Sequence, residues 1–483
     1  MQHTKLIALL KTCNRKELRK LDKFVDSPYF NTNRNIVALY RYIQQFAPKF
    51  ESKQLERKTV FSALFPNEAY KEKRLHKLMG ELLKLIDRFF HLEEWQQNET
   101  TQHISALAAY QKRNLNAFWE QKMAKTSLLL EKMPLQAEAS FYQSWQLALE
   151  KHKVVEAEEQ RNKEPLLQAV HTELDAFYLC NKLKYYCKVL NYQRFQAHEY
   201  DIYMMDSVLQ TATLPIYRKN PAIQIYYFGV LSLLKPDEIH HFLTLKGLLQ
   251  QYLYRFSLKE TQNMLVLARN FCIKQLNQGK PKYINELLDI YKLEIEHKIL
   301  LVDGKVPAST CRNIVAVAML AEELEWTADF LLAYQKHLDK TTFAFNLATV
   351  RFHQQEYESV LPLLSSTKFK DVLLRLGVKA LQLKTFYELY MKHEIDFQYE
   401  DELDLYLQSF ATFLKRNSKI LTKNVVYYEN LIAFVKQIFA IKQDVEADKM
   451  AWQQFYEIVE KCIEVAEKAW LVEKIDLLVR NHK

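Results

Sequence analysis

Few side chains in this sequence are spaced for chemistry, and the first to weigh are two Glu-x-x-His pairs, Glu238 with His241 and Glu294 with His297. Three residues apart on a helix, a carboxylate and an imidazole share one face, and two such pairs form half of a carboxylate-bridged di-metal centre in a helix bundle. That centre needs two further glutamates on separate helices, and nothing in the sequence marks them. A chain with 40 Glu and 14 His holds about one such pair by chance. The sequence therefore predicts no metal site and no cofactor. Catalysis that depends on close backbone approach is excluded as well: the six glycines include no two nearer than Gly229 and Gly247. There is no GxGxxG, no phosphate-binding P-loop and no GxSxG elbow, each of which needs glycines within a few residues. His-Glu-x-x-His and Cys-x-x-Cys are absent too. The closest cysteines, Cys180 and Cys187, are seven residues apart. On one helical face that is two turns, too far for a disulfide. The expectation is a reduced interior and a chain that is not an enzyme, with no catalytic residues.

What remains is binding, and the stretch from Asn313 to Leu389 indicates how it is built. Ala318, Ala348 and Gly377 recur after 30 and 29 residues, and Trp326, Tyr357 and Phe386 follow them eight or nine positions later. A period of this size belongs to stacked helical hairpins, because a lone hairpin cannot bury its apolar face without the next copy. The small residue sits in the first helix and lets the second approach; the aromatic opens the second helix. Pro362 falls inside such a second helix and is expected to kink it. In the middle copy Leu347, Ala348, Phe352, Tyr357, Val360 and Leu364 fall where the tetratricopeptide repeat has its pattern residues. The stretch resembles divergent tetratricopeptide repeats. That resemblance implies first helices turned toward a concave groove, with Arg312, Asn346, His353 and Arg375 facing a protein or peptide partner. Arginine would fork onto carboxylates, and asparagine would pair with a backbone amide. The alternative for each is a solvated or locally satisfied polar group.

Composition agrees with an all-α reading. Six glycines in 483 residues leave few positions for tight hairpins between strands. The predicted fold is an α-solenoid of stacked, tetratricopeptide-like hairpins with a basic helical N-terminal region. The expected divisions are residues 1–95, a helical middle at 96–220, repeats at 221–395 and a helical cap at 396–483. In the cap, Ala451 to Val479 is expected as one helix with Trp452, Phe455, Val459, Ile463, Ala466 and Trp470 on one side. In the middle region the aromatics Phe177, Tyr178, Tyr185, Tyr186 and Tyr192 are expected as core. No apolar run reaches the length of a membrane span, and a cytoplasmic location is expected.

Charge is unevenly placed. Residues 1–95 carry 19 Lys and Arg against 11 Asp and Glu, nearly all of the chain's net +9. A capping box at Asn14 and Glu17 opens one helix there. A longer one, Tyr70 to Trp95, sets Leu75, Leu78, Met79, Leu82, Leu85, Ile86 and Phe89 on one stripe and Lys73, Lys77, Lys84 and Arg88 opposite. With the short helix before it, this could form a helix-turn-helix-like head that binds nucleic acid through those four cations. The plainer alternative is a solvated face on a structural helix. Short stretches also resemble a bacterial group of proteins with tetratricopeptide-like helices: Arg15 to Leu18 with Ser27 to Asn31, Asn220 to Tyr227, and Asn270 to Ile273. The resemblance implies a bacterial origin and brings no site residues. The primary expectation is a scaffold or adaptor without catalysis; the alternative is a nucleic-acid-binding regulator.

Overall fold

The computed structural model describes residues 1–135, 138–157, 164–193, 200–392, 397–443 and 449–481. Among them there is no strand, only helices, turns and two isolated bridges, Leu135 with Phe256 and Val302 with Lys305. The chain is all-α. No described helix is long and apolar enough to cross a membrane. Two compact units are present, the first made mostly of residues up to Tyr226 and the second mostly of residues from Tyr227 onward.

The first unit opens with α1 (Lys5–Lys11), α2 (Arg15–Asp26), α3 (Arg34–Gln44), α4 (Arg57–Leu64) and α5 (Glu72–Gln97). Asn14 caps α2 as expected: its Oδ1 accepts from the amides of Lys16 and Glu17 at 2.8 and 3.0 Å, and Glu17 Oε2 accepts from the Asn14 amide at 2.7 Å. All seven stripe residues of α5 are buried. They join Leu6, Leu21, Leu39, Phe61 and others in one core shared by all five helices. Then follow α6 (Glu99–Gln111), α7 (Asn116–Lys132), α8 (Ala139–Ala157), α9 (Glu164–Tyr192), α10 (Met205–Ala212) and α11 (Pro215–Arg218), and α12 (Pro221–Leu234) runs from the first unit into the second. The aromatics of α9 depart from expectation. Tyr178, Tyr185 and Tyr192 are exposed, while Leu179, Cys180, Leu183 and Cys187 are buried. The inward stripe is set by the aliphatic and thiol side chains at a spacing of three or four, and the tyrosines lie outside it, Tyr185 donating to Glu138 Oε1 at 3.2 Å.

The second unit contains α13 (Ile239–Tyr252), α14 (Leu258–Asn277), α15 (Tyr283–Glu296), α16 (Ala308–Leu320), α17 (Leu324–Ala333), α18 (Lys340–His353), α19 (Tyr357–Ser365) and α20 (Val372–Lys392). It ends with α21 (Phe397–Arg416), α22 (Ser418–Leu421), α23 (Asn424–Gln443), α24 (Lys449–Lys461) and α25 (Lys468–Asn481). From α13 to α25 each helix packs on its successor, and α16 also packs on α18, α18 on α20, and α21 and α25 on α23. Ala318 and Ala348 have no exposed surface. A Cβ on Gly377 would come within 3.3 Å of the Phe345 ring of α18. The two alanines are thus fully buried, and Gly377 lies at a close contact between α20 and α18.

Gly279, at φ +77°, closes the turn after α14, but other hairpin turns are made without glycine. After α16, Glu322 takes φ +60° and the Glu323 amide donates to Ala318 O at 2.9 Å. After α18, Gln355 takes φ +63° and the Glu356 amide donates to Arg351 O at 2.9 Å. Both are Schellman closures, in which a left-handed residue lets the chain satisfy the last carbonyls of the helix. A scarcity of glycine therefore does not mean a scarcity of positive φ. Lys298 and Asn114 close α15 and α6 in the same way. A left-handed L-residue is strained by its Cβ, so Gln355→Gly should stabilise the chain by about 0.5–1 kcal/mol after the entropy glycine adds to the unfolded state. The midpoint of urea unfolding reads this; an unchanged or lower midpoint would contradict the strain.

Two expectations about helices need correction. The third copy is no hairpin: Gly377 and Phe386 lie in α20, one helix of 21 residues. No residue between them takes positive φ, so nothing closes a first helix there. The C-terminal stretch is two helices instead of one. Between α24 and α25 Glu467 takes φ +53°, the Ala466 amide donates to Tyr427 O at 3.0 Å, and Asn430 Nδ2 donates to Glu464 O at 2.7 Å. These bonds to α23 draw the chain out of the helix, and Ile463, placed on the buried stripe by sequence, is 84% exposed. Pro362 lies inside α19 as expected, and that helix ends three residues later.

Candidate functional site

The residues expected to meet a partner have separate fates. Asn346 is buried, and its Nδ2 donates to Thr342 O of its own helix at 2.7 Å. It presents nothing to solvent, because a helical asparagine without a partner outside satisfies the carbonyl four residues back. His353 ends α18 with its ring edge-on to Phe352, centroids 5.7 Å apart. Its surface is open, yet enough atoms lie around it that desolvation, and then Lys384, hold the imidazole below its ordinary range. Arg312, on α16, is exposed.

Arg375 is exposed on α20, and its guanidinium carbon stands 5.0 Å from the centre of the Phe413 ring of α21. One turn on, Lys379 Nζ lies 4.8, 5.9 and 5.7 Å from the rings of Tyr406, Phe410 and Phe413. Tyr406 fixes the arrangement: its hydroxyl donates toward Lys379 O at 3.1 Å and Gln382 Oε1 at 2.9 Å. Ring faces hold cations by their quadrupole without neutralising them. Neither Arg375 nor Lys379 makes an ion pair among the described residues. Desolvation, and then the Arg375 charge, hold the Lys379 ammonium below its ordinary range. An incoming carboxylate would relieve both effects. Sequence singled out Arg375 but not Lys379 or the rings, which come from 27 to 38 residues away.

On α5, Lys73, Lys77, Lys84 and Arg88 are all exposed. Lys77 lies 3.9 Å from Glu81, and Arg88 stands 5.0 Å over the Phe30 ring. Acidic neighbours dilute the face, since Arg57 pairs with Glu72 at 2.6 Å and Lys20 with Glu93.

The two Glu-x-x-His pairs also part company. Glu294, in α15, is buried and accepts from Arg269 Nη1 of α14 through both oxygens, at 2.7 and 2.9 Å. Its carboxylate is already matched by a cation. Glu238 and His241 do come together, Oε2 to Nε2 at 3.0 Å, and His240 lies beside them, a residue the sequence reading passed over. Burial, and then His240, hold His241 below its ordinary range. Compared with known proteins, the chain matches no family model, no curated protein and no solved structure.

Proposed function

We propose that this chain is a helical-repeat scaffold whose second unit is a divergent, tetratricopeptide-like solenoid that binds an acidic segment of a protein partner at Arg375 and Lys379. The observation that carries this reading is a pair of cations one turn apart, held on aromatic rings and lacking a counter-charge among the described residues. An extended peptide with neighbouring carboxylates supplies what the pair lacks, by forked bonds to arginine and a point charge to lysine. Packing of each helix from α13 to α25 on its successor supports the solenoid.

A labelled oligoglutamate peptide tests the reading. The intact chain should bind it, and R375E with K379E should weaken binding by about tenfold or more, since a charge reversal replaces two attractions by repulsions. Equal binding by the double variant would reject the site. A second reading, nucleic-acid binding by the exposed cations of α5, predicts instead that duplex DNA is retained at low salt and released steeply as salt rises. In that case reversal of Lys73, Lys77, Lys84 and Arg88 abolishes retention while R375E with K379E leaves it unchanged.

A further inference from the structure

We propose that Glu238, His240 and His241, at the turn between α12 and α13, bind one divalent transition-metal ion of the zinc type. The donor set is two imidazoles and a carboxylate, which suits zinc, cobalt and nickel. The three donor atoms lie within 4.8 Å of one another. Two ligands on a tetrahedral ion at the usual bond length are about 3.3 Å apart. Here Glu238 Oε2 is 3.0 Å from His241 Nε2 and 3.8 Å from His240 Nε2, distances that bracket that value. The other carboxylate oxygen, Oε1, faces Lys235 at 3.4 Å, so the two oxygens divide the work between a fixed cation and the imidazoles.

A separate observation points to a ligand. His241 is only 8% exposed, its Nδ1 has no hydrogen-bond partner, and its Nε2 meets the Glu238 carboxylate at 3.0 Å. A buried imidazole normally finds a donor or an acceptor for both nitrogens. A metal held by Nε2 and the carboxylate would bind His241 more firmly than that single approach does. The backbone brings the groups together: Glu238 precedes the first turn of α13, its amide donates to Lys235 O at 3.1 Å, and its carbonyl accepts from the His241 amide at 3.2 Å. His240 and His241 are neighbours in sequence, and their ring centres are 4.0 Å apart. His240 has an exposed side chain and can turn to complete the set. With three protein ligands, a fourth position is left for water, as in open zinc sites.

Titration of the full chain with cobalt and zinc ions, after removal of metal by a chelator, tests this. Cobalt should give visible ligand-field absorption that saturates at one equivalent and is displaced by zinc. H240A, E238A and H241A should each weaken binding by about tenfold or more, while H297A, which breaks the other Glu-x-x-His pair, should not change it. Absence of the absorption in the parent chain, or parental affinity in the three variants, would overturn the site. Should H241A fail to fold, H240A decides, because the His240 side chain is 66% exposed and its ring contact is His241 itself.

Discussion

Replacing Arg269 by alanine should cost the chain about 3–5 kcal/mol at neutral pH, because it leaves the Glu294 carboxylate charged, 3% exposed and without its cation. The expected pH dependence has a definite sign. Burial raises the Glu294 carboxyl above its ordinary value, and Arg269 pulls it part of the way back. A raised folded pKa means that the folded chain holds the proton more tightly than the unfolded chain does. The favourable contribution is then complete below the unfolded pKa, about 4.3, and is lost as pH rises through the folded one. Without Arg269 the folded pKa rises further, so the deficit of R269A should be largest at pH 7 and shrink toward pH 4. Glu294→Gln should be milder, near 1–2 kcal/mol by the usual cost of a weakened hydrogen bond, since Arg269 keeps a quarter of its side chain in water. Denaturant unfolding at several pH values measures both variants; equal losses, or a deficit of R269A that grows in acid, would refute the account.

Glu388→Ala should cost about 3 kcal/mol. This carboxylate of α20 is buried against α25, where it accepts from Trp470 Nε1 at 2.9 Å and faces Lys474 Nζ at 3.0 Å. Burial pushes the Lys474 ammonium down, and Glu388 with Glu473 more than restores it. Removing Glu388 leaves the indole N–H without its acceptor and the Lys474 ammonium with Glu473 alone, at 3.1 Å. Trp470→Phe makes the complementary comparison. It keeps most of the ring packed edge-on against Tyr387, at 5.1 Å between centroids, and loses one donor, so about 1–2 kcal/mol is expected. Unfolding midpoints in which the tryptophan variant loses more than the glutamate variant would show that packing, and not the polar network, joins the two helices.

Regular periodicity made part of this fold legible. The α5 stripe from Leu75 to Phe89 is buried in full because a 3.6-residue pattern states its own direction, and the Asn14–Glu17 box is local chemistry. Turns were the weak point. Glu322 and Gln355 bend the chain as a glycine would, and nothing in their side chains announces it. The break before α25 depends on bonds to Tyr427 and Asn430 of α23 across a helix interface, so no local signal precedes it. The candidate sites show the same division. Arg375 could be picked from the repeat pattern, but the rings beneath it belong to α21, and Lys379 gains its meaning only from them. Asn346 carried an equally good pattern and points inward. His240 escaped notice because adjacent histidines share no helical face, whereas at the first turn of α13 their rings converge.

The apolar cluster that runs from Ala348 to Leu478 is a single body shared by α18 through α25. No helix in it can detach alone, since lifting α25 would bare Trp470, Leu471 and Ile475 together with the Tyr387 ring that Trp470 meets edge-on. This stretch should therefore open as one cooperative block, and whatever grips Arg375 and Lys379 on α20 would slow amide exchange as far away as the last turn of α25.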